Sequence, residues 1–281
     1  MFAHSGLVLL VICAAFFLPK VLKLSTELSM LIAAIAGAAA HSILIAVTDS
    51  PHDAVPLIPV RHIVEGAFTY FDVCLIFLTA TFFMALLRES GGVAFIVRKI
   101  VSTFHARRTV CLLLLTFVLL IPGALTGSGA TTVLTVGALV GSVLSAMGVD
   151  ETRRIAIIFL GAAMSAAAPP INLWAMMAAA GANTPYVGFG KPLLVLSVSG
   201  ALFSMFWLAG RGESKIDLKA VLAELPEVEE GQSWLRVALP FALLLGLILA
   251  GRIWPFSMPV LGLPFIFMIS SFIVVILSPR R

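Results

Sequence analysis

The sequence predicts an all-α protein that crosses a membrane several times. Hydrophobic residues make up 60% of the chain and charged residues only 11%, and the mean hydropathy is +1.11. These values are typical of repeated bilayer spans rather than of a soluble domain. The apolar residues occur in runs long enough to cross about 30 Å of hydrocarbon. Two of these runs contain Gly or Pro residues in their middle, where a simple anchor would keep an unbroken helix.

Seven apolar segments are predicted to be membrane spans. They comprise residues 6–22, 28–47, 67–87, 155–180, 193–209, 237–250 and 260–277. In the first of them, Lys20 and Lys23 follow the apolar run, whereas a cleaved signal peptide carries its positive charge before that run. We therefore interpret this segment as a span.

An uncharged segment, residues 110–149, lies between the third and fourth of these spans. It contains no Asp, Glu, Lys, Arg or His and is interrupted in its middle by the sequence TGSG. Two interpretations are open: two full spans, or one re-entrant helical hairpin. A turn that reaches the outer surface usually carries charge, Asn or Pro, whereas LTGSGATT carries none of these. The composition of this turn favours the hairpin.

The distribution of basic residues predicts the orientation. With the N-terminus outside, fifteen of the 18 lysines and arginines fall on the cytoplasmic side, and only Arg61, Lys191 and Arg252 fall outside. The positive-inside rule therefore places the N-terminus outside and the C-terminus in the cytoplasm. Both ends of the uncharged segment are cytoplasmic, so the rule does not distinguish a hairpin from two spans. The net charge of +4 reflects this asymmetry and does not indicate nucleic-acid binding.

Two further segments are not predicted to span the membrane. The segment GGVAFIVRKIVSTFHARR places its apolar residues on one helical face and its basic residues elsewhere, as in a helix lying on the inner membrane surface. The apolar face comprises Val93, Ile96, Ile100 and Phe104, and the other positions include Arg98, Lys99 and Ser102. The segment ESKIDLKAVLAELPEVEEGQSW is predicted to be a solvated cytoplasmic linker that begins with a short amphipathic helix.

The two interrupted runs are the candidates for a binding site. One contains the sequence TGSG followed by Thr131, Thr132 and Thr135, and the other contains Pro169 and Pro170 followed by Asn172. A Pro pair removes two N–H donors and frees carbonyl groups of the preceding helix. Irregular backbone at membrane depth is tolerated only where it lines a cavity or is buried in protein. The alternative is that the small residues serve close helix packing.

Enzyme chemistry finds little support in the sequence. The five histidines are scattered, and the three cysteines lie in apolar runs without CxxC spacing, so no metal or redox motif is present. Of the 14 acidic residues, only Asp72 falls within a predicted span. The absence of a central carboxylate disfavours a proton relay and leaves coordination of Na⁺ by carbonyl and hydroxyl oxygens as the simpler coupling.

In its order of elements, the sequence resembles one half of a transporter of the ion-transporter superfamily. A span, an amphipathic helix, the hairpin PGALTGSGATTVLTVGALVG, the sequence DETRR and the broken helix AAAPPINLWAMM follow one another between residues 71 and 211. The large membrane subunit of tripartite ATP-independent periplasmic (TRAP) transporters is the most similar member, and divalent anion–sodium symporters are more distant. These subunits usually have an Asp shortly after the hairpin tip, whereas this chain has Thr131 and Thr132. This difference bears on substrate and ion rather than on fold.

The resemblance implies a fold, a mechanism and a set of site residues. The implied fold is half of an inverted-repeat elevator-type transporter, with seven spans, one re-entrant hairpin and one broken helix. In that family, the hairpin tip and the unwound helix bind Na⁺ and a carboxylate substrate. The corresponding substrate- and ion-binding residues are Thr126, Gly127, Ser128, Gly129, Thr131, Thr132, Ala168, Pro169, Pro170 and Asn172. The sodium site would involve Gly127, Ser128, Pro169 and Asn172.

The predicted organisation follows from these assignments. Residues 1–66 form two scaffold spans, 67–109 the third span and amphipathic helix, 110–190 the transport unit, 191–211 a span, 212–235 the linker and 236–281 the last two spans. The last two spans start from the cytoplasm, whereas the first two start from outside. They are therefore interpreted as the start of an inverted second repeat whose hairpin is missing.

The predicted function is sodium-coupled uptake of a small organic anion by a membrane subunit of a secondary transporter in the bacterial inner membrane. Its predicted partners are the lipid bilayer, a second membrane subunit with the other inverted repeat, a periplasmic substrate-binding protein and the anion itself. No cofactor other than Na⁺ and no nucleic acid is expected. The alternative is an accessory or assembly subunit, or a membrane enzyme, without its own transport site.

Overall fold

The computed structural model describes residues 2–48, 58–186, 188–210, 218–228, 231–254 and 262–279. Every regular element in these ranges is a helix. Contacts divide the chain into two compact units, Met1–Phe71 and Asp72–Arg281. Among the described residues, six helices are long and apolar enough to cross a membrane. The chain is therefore an all-helical protein with the composition and helix lengths of a multi-pass membrane protein.

The six long apolar helices do not coincide one for one with the seven predicted spans. They are Thr26–Val47, Phe71–Glu89, Arg108–Thr126, Gly129–Ala146, Gly190–Ala209 and Trp234–Gly251. Predicted spans 6–22 and 260–277 correspond to the shorter apolar helices Ser5–Val21 and Leu263–Leu277, and residues 260 and 261 lie outside the described ranges. Predicted span 155–180 consists of two shorter helices. Both arms of the predicted hairpin are long enough to cross.

The first unit contains α1 (Phe2–Val21), α2 (Thr26–Thr48) and α3 (Ile58–Thr69). α1 and α2 pack against each other. A methyl group at Gly37 would lie 2.6 Å from the side chain of Ile12, so the glycine allows the two helices to approach closely. The third predicted span was expected from residue 67, but α3 ends at Thr69 and the next helix begins at Phe71.

The second unit contains the uncharged segment and the interrupted helix. Its helices are α4 (Phe71–Glu89), α5 (Gly92–Phe104), α6 (Arg108–Thr126), α7 (Gly129–Thr132), α8 (Ala138–Ala146), α9 (Glu151–Ala167), α10 (Leu173–Gly181), α11 (Gly190–Ala209), α12 (Leu218–Glu224), α13 (Trp234–Ile253) and α14 (Leu263–Leu277). A π-helical turn, Val133–Gly137, joins α7 to α8. The first arm of the hairpin is α6, and its second arm consists of α7, the π-helical turn and α8.

Helix α9 is the central element around which the hairpin packs. It contacts α6, α7, the π-helical turn and α8, and it also contacts α11. Small residues bring the hairpin and α9 together: a methyl group at Gly161 would lie 3.1 Å from Leu119, and one at Gly137 would lie 3.2 Å from Ile158. Close packing of the two hairpin arms on α9 therefore depends on glycine at these positions.

Helix α5 is amphipathic as predicted, but its apolar face packs against protein. Val97 and Val101 are fully buried, and Val93 and Ile100 are buried in the same apolar core. α6, α8 and α12 contribute to the contacts of this helix. The prediction of a helix lying on the membrane surface is therefore incomplete, because neighbouring helices provide the apolar surface that lipid was expected to provide.

The linker is also more buried than the sequence indicates. α12 packs against α5 and α8; its Val221 is fully buried, and Leu225 just after it is buried as well. The expected short amphipathic helix is present, but this part of the linker is not a solvated connector. Residues 212–217 and 229–230 of the predicted linker lie outside the described ranges.

Arg108, the first residue of α6, joins three helix ends. Its guanidinium donates hydrogen bonds to the carbonyl oxygen of Met147 at 3.0 Å, just after α8, and to that of Ala209 at 2.9 Å, the last residue of α11. The last carbonyls of a helix have no intrahelical donor, and a cation near them is favourable. One side chain thus connects both arms of the hairpin to α11.

We predict that Arg108→Met lowers the free energy of unfolding by about 1–3 kcal/mol, because two charge-assisted hydrogen bonds are lost while the apolar stem is kept. Thermal unfolding in mild detergent measures the effect. Arg107→Met is the matched control, since none of the contacts given by the structure involves the Arg107 side chain. Equal unfolding temperatures for the two variants would contradict the role assigned to Arg108.

Candidate ion- and substrate-binding site

Four helix ends meet where the hairpin turns. α6 ends and α7 begins at the hairpin tip, residues 126–129, while α9 ends and α10 begins at the break, residues 168–172. The backbone N–H of Ile171 in the break donates to the carbonyl oxygen of Ala124 in α6 at 3.1 Å. A methyl group at Gly129 would lie 2.9 Å from the carbonyl oxygen of Ala162 in α9. The two interruptions predicted from the sequence are therefore neighbours in space.

Gly127 makes the sharp turn between the two arms. Its φ is +68°, in the left-handed region that costs other L-residues about 1–2 kcal/mol. A methyl group on Gly127 would lie 2.8 Å from the backbone nitrogen of Leu173, the first residue of α10. Both the turn and the close approach to α10 require glycine at this position.

Hydroxyl groups at the tip satisfy several of its backbone groups. Thr126 is fully buried; its Oγ1 donates to the carbonyl oxygen of Pro122 at 2.8 Å and accepts from the N–H of Ser128 at 3.2 Å. Ser128 is the N-cap of α7, and its Oγ accepts from the N–H of Thr131 at 3.4 Å. Ser128 is partly exposed, so its hydroxyl is more accessible than that of Thr126.

Asn172 bridges the two halves of the broken helix. Its Oδ1 accepts from the N–H of Ala175 at 2.9 Å and caps α10, while its Nδ2 donates to the carbonyl oxygen of Ala167 at 3.1 Å, at the end of α9. The side chain is buried, and the peptide bond between Pro169 and Pro170 is cis. Asn172 therefore has a structural function that the sequence did not indicate, in addition to its position at the break.

Thr132 binds α9 rather than lining an open site. Its Oγ1 lies 2.7 Å from Ser165 Oγ, which donates its own hydrogen to the carbonyl oxygen of Ala162 at 2.7 Å. A serine hydroxyl has one hydrogen, so Thr132 is the donor in the pair. Both side chains are fully buried. Ser165 is not among the predicted site residues, although a polar residue just ahead of two prolines in an apolar run was a signal for it.

Several backbone carbonyls at the junction of tip and break have no donor. The structure gives no hydrogen bond to the carbonyl oxygens of Gly127 in the tip or of Ala168 and Pro169 in the break, considering the described residues only. Gly127 and Ala168 are buried, and Pro169 is partly exposed. Backbone oxygens without donors at membrane depth are the groups that coordinate Na⁺ in discontinuous helices.

The π-helical turn, which follows α7, was not predicted. Thr135 within it donates from Oγ1 to the carbonyl oxygen of Thr131 at 2.6 Å. Isolated π-helical turns occur frequently at functional sites. The periodicity of an apolar helix carries no signal for one extra residue in a turn, so the sequence could not indicate it.

The remaining predicted site residues are divided between buried and partly exposed positions. Thr131 and Ala168 are buried, whereas Gly129, Pro169 and Pro170 are partly exposed at the junction. No predicted site residue is ionisable, and the described part of the chain contains no group of three or more His, Cys, Asp or Glu side chains placed to hold a metal. No family model, curated protein or solved structure matches this chain.

We predict that Gly127→Ala destabilises the chain more than Gly91→Ala. Both glycines have φ near +70°, so both variants incur the left-handed cost of about 1–2 kcal/mol. Only a methyl group at position 127 would collide with α10, because nothing lies within 4 Å of a methyl group at position 91. The collision adds about 1–3 kcal/mol. Thermal unfolding compares the two variants, and equal shifts would exclude the close contact between the tip and α10.

The hydroxyl pair gives a second prediction, an asymmetric one. Ser165→Ala leaves the buried Thr132 hydroxyl without its acceptor and should lower the free energy of unfolding by about 1–3 kcal/mol. Thr132→Val leaves Ser165 bonded to Ala162 and should lower it by about 0.5–1.5 kcal/mol. The double variant should lower it by less than the sum of the two single effects, because neither hydroxyl is left without its partner. A greater loss from Thr132→Val than from Ser165→Ala, measured by unfolding, would contradict the donor assignment.

Proposed function

We propose that this chain is a membrane subunit of a secondary transporter that couples Na⁺ to the uptake of a small organic anion. The observation that carries the proposal is the junction of tip and break, where Ile171 bonds to Ala124, Gly127 approaches Leu173, and the carbonyl oxygens of Gly127, Ala168 and Pro169 have no donor among the described residues. Irregular backbone of this kind at membrane depth is characteristic of transporter binding sites.

Sodium is the coupling ion that fits these groups. Carbonyl and hydroxyl oxygens have lone pairs but are not ionised near neutral pH, so they are suitable ligands for a hard monovalent cation. A proton relay would need an ionisable side chain within the membrane, and none of the predicted site residues has one. The candidate ligands are the carbonyl oxygens of Gly127 and Pro169, the Ser128 hydroxyl and the amide oxygen of Asn172.

Helix ends of opposite partial charge lie together at this junction, and they would favour binding of an anionic substrate together with a cation. The carboxyl ends of α6 and α9 carry partial negative charge, and the amino ends of the hairpin's second arm and of α10 carry partial positive charge. These ends are neighbours, as the bond from Ile171 to Ala124 and the close approach of Gly127 to Leu173 and of Gly129 to Ala162 indicate. The amino ends favour a carboxylate and the carboxyl ends favour Na⁺, so the site attracts both ions although none of its predicted residues is charged.

We further propose a re-entrant hairpin and a second membrane subunit. The arms have 19 and 18 residues, about 28 and 27 Å at 1.5 Å per residue, so their length also permits full crossing. The argument for re-entrance is the packing of Thr126 and Gly127 inside the protein. One hairpin is half of an inverted-repeat pair, so a second polypeptide in the bacterial inner membrane would supply the other hairpin. A periplasmic protein would deliver the anion to this assembly. Transport would proceed by an elevator-like movement.

The test is a sodium-specific effect that does not require the substrate to be known. NaCl should raise the unfolding temperature of the purified protein more than KCl at equal ionic strength, because a bound ion stabilises the folded state. Ser128→Ala should raise the Na⁺ concentration for the half-maximal effect about fivefold, since one hydroxyl contributes about 1 kcal/mol. Ser199→Ala is the control, because that exposed hydroxyl bonds only within α11.

Transport itself is tested in proteoliposomes under an imposed Na⁺ gradient, with labelled succinate as the first of a panel of small carboxylates. We expect uptake only by an assembly that contains a co-purified second membrane subunit. Equal effects of NaCl and KCl would remove sodium coupling, and uptake by this chain alone would remove the second subunit from the proposal.

A further inference from the structure

Two pairs of arginines lie where α6 and α9 begin. Arg107 and Arg108 lie at the start of α6, and Arg153 and Arg154 lie in the first turn of α9. We call these four residues the arginine cluster. α6 has 19 residues and is therefore about 28 Å long at 1.5 Å per residue. Because the hairpin tip lies at the other end of this helix, the arginine cluster is separate from the candidate ion site.

The packing of α6 on α9 brings the two pairs to the same level. A methyl group at Gly161 would lie 3.1 Å from the side chain of Leu119, and one at Gly123 would lie 2.6 Å from Ser165 Cβ. Both contacts join residues 42 positions apart (161 − 119 and 165 − 123), so the helices run side by side in the same direction. The same offset places the first residue of α6 level with the N-cap of α9.

The end of α11 lies between the two pairs. Arg108 donates to the carbonyl oxygen of Ala209 at 2.9 Å, and a methyl group at Gly210 would lie 3.5 Å from Arg153 Nη1. One arginine of each pair therefore approaches the same helix end, whose partial negative charge attracts cations. The two pairs form one group of charges in space.

Most guanidinium groups of the arginine cluster have no acceptor in the part of the chain that the structure describes. Only Arg108 donates hydrogen bonds from its side chain, and even its Nε is buried without a partner, as is the Nε of Arg154. A donor that is left unpaired costs free energy. Arg107 and Arg153 are exposed, so an acceptor from outside the protein can reach the cluster.

The carboxylates next to the arginine cluster do not neutralise it. Asp150 Oδ2 accepts from the N–H of Thr152 at 3.1 Å, Glu151 is exposed, and neither forms an ion pair within the described ranges. Four arginines and two carboxylates leave a charge of +2 (4 − 2). The amino ends of α6 and α9 add partial positive charge and N–H groups without intrahelical acceptors. A bound anion would be favourable for both reasons.

Apolar side chains exposed beside the arginine cluster favour a lipid as the source of the anion. Ile155 and Phe159 follow the arginines along α9 and are 61% and 68% exposed. Trp207 lies one turn before the end of α11 and is 72% exposed. Tryptophan is enriched at the headgroup level of membranes. The charged group therefore lies at headgroup depth, next to an apolar surface that acyl chains can cover.

We propose that the arginine cluster binds the phosphate group of an anionic phospholipid. Planar guanidinium groups bind phosphate oxygens in pairs, and the N–H groups at helix amino ends bind phosphate as well. The positive-inside rule predicts that this side of the chain is cytoplasmic, where anionic lipids are concentrated and basic pockets between helices bind their headgroups. A lipid held here would link the starts of α6 and α9 to the end of α11.

The experiment measures lipid binding to the purified, delipidated chain in a neutral detergent. Phosphatidylglycerol, phosphatidylcholine and inorganic phosphate are titrated separately, and native mass spectrometry gives the bound fraction and the apparent Kd. We expect one phosphatidylglycerol to bind at a lower concentration than phosphatidylcholine, because a choline group offsets the phosphate charge. Inorganic phosphate should not displace the lipid at equal concentration, because it gains nothing from the apolar surface.

The double variant Arg153→Gln, Arg154→Gln should raise the apparent Kd for phosphatidylglycerol about fivefold for each arginine removed. Binding of phosphatidylcholine should not change. Arg88→Gln is the matched control, because Arg88 is also exposed and lies at the end of α4 on the same predicted side. The double variant Arg153→Lys, Arg154→Lys keeps both charges but loses the paired geometry. It should bind with intermediate affinity, and it provides a result if the glutamine variant does not fold.

Equal binding of phosphatidylglycerol and phosphatidylcholine by the unmodified chain would overturn the proposal. So would equal weakening by Arg88→Gln and by the glutamine double variant, since that result shows a general effect of surface charge. Displacement of the lipid by inorganic phosphate would show that the arginine cluster takes a free anion instead. The measurement needs neither Na⁺ nor substrate, so its outcome is independent of the proposed function.

Discussion

Hydrocarbon provides no partner for an unpaired backbone N–H or C=O group, and this constraint accounts for most of what surrounds the hairpin tip. Interrupting α6 and α9 creates carbonyls and N–H groups that no longer have intrahelical partners. The protein pairs many of them across the interruption: Ile171 bonds to Ala124, and Asn172 links the end of α9 to the start of α10. The few carbonyls left without donors are therefore distinctive, because most of their neighbours are paired.

The tip and the break also depend on each other. Glycines at positions 123, 127 and 129 each face α9 or the start of α10 at distances that exclude a side chain, and the Thr132–Ser165 pair fixes how far the second arm can slide along α9. Neither interruption would be stable alone in lipid, since each exposes backbone that the other covers. This junction is assembled by packing rather than by a short motif.

The sequence predicted the helical class, the uncharged arms and the interruption at Pro169 and Pro170, because apolar run length and proline chemistry are local signals. It did not predict that Val221 and Leu225 of the linker would be buried, since burial of a short helix depends on which neighbours lie beside it. It named Thr132 as a site residue but did not indicate that its hydroxyl pairs with Ser165. Which face of a helix a hydroxyl occupies is fixed by tertiary packing and by the π-helical turn.

That turn has a consequence for the angular register of the second arm. An α-helix advances about 100° per residue, and a π-helical turn accommodates one additional residue in its circumference. Residues after Gly137 therefore point about 100° away from where an unbroken α-helix starting at Gly129 would place them. Removing a single residue between Val133 and Gly137 would rotate the tip relative to the rest of the second arm. Thr132 could then no longer bond to Ser165 while α8 kept its packing on α9. The length of this segment is thus as constrained as its composition.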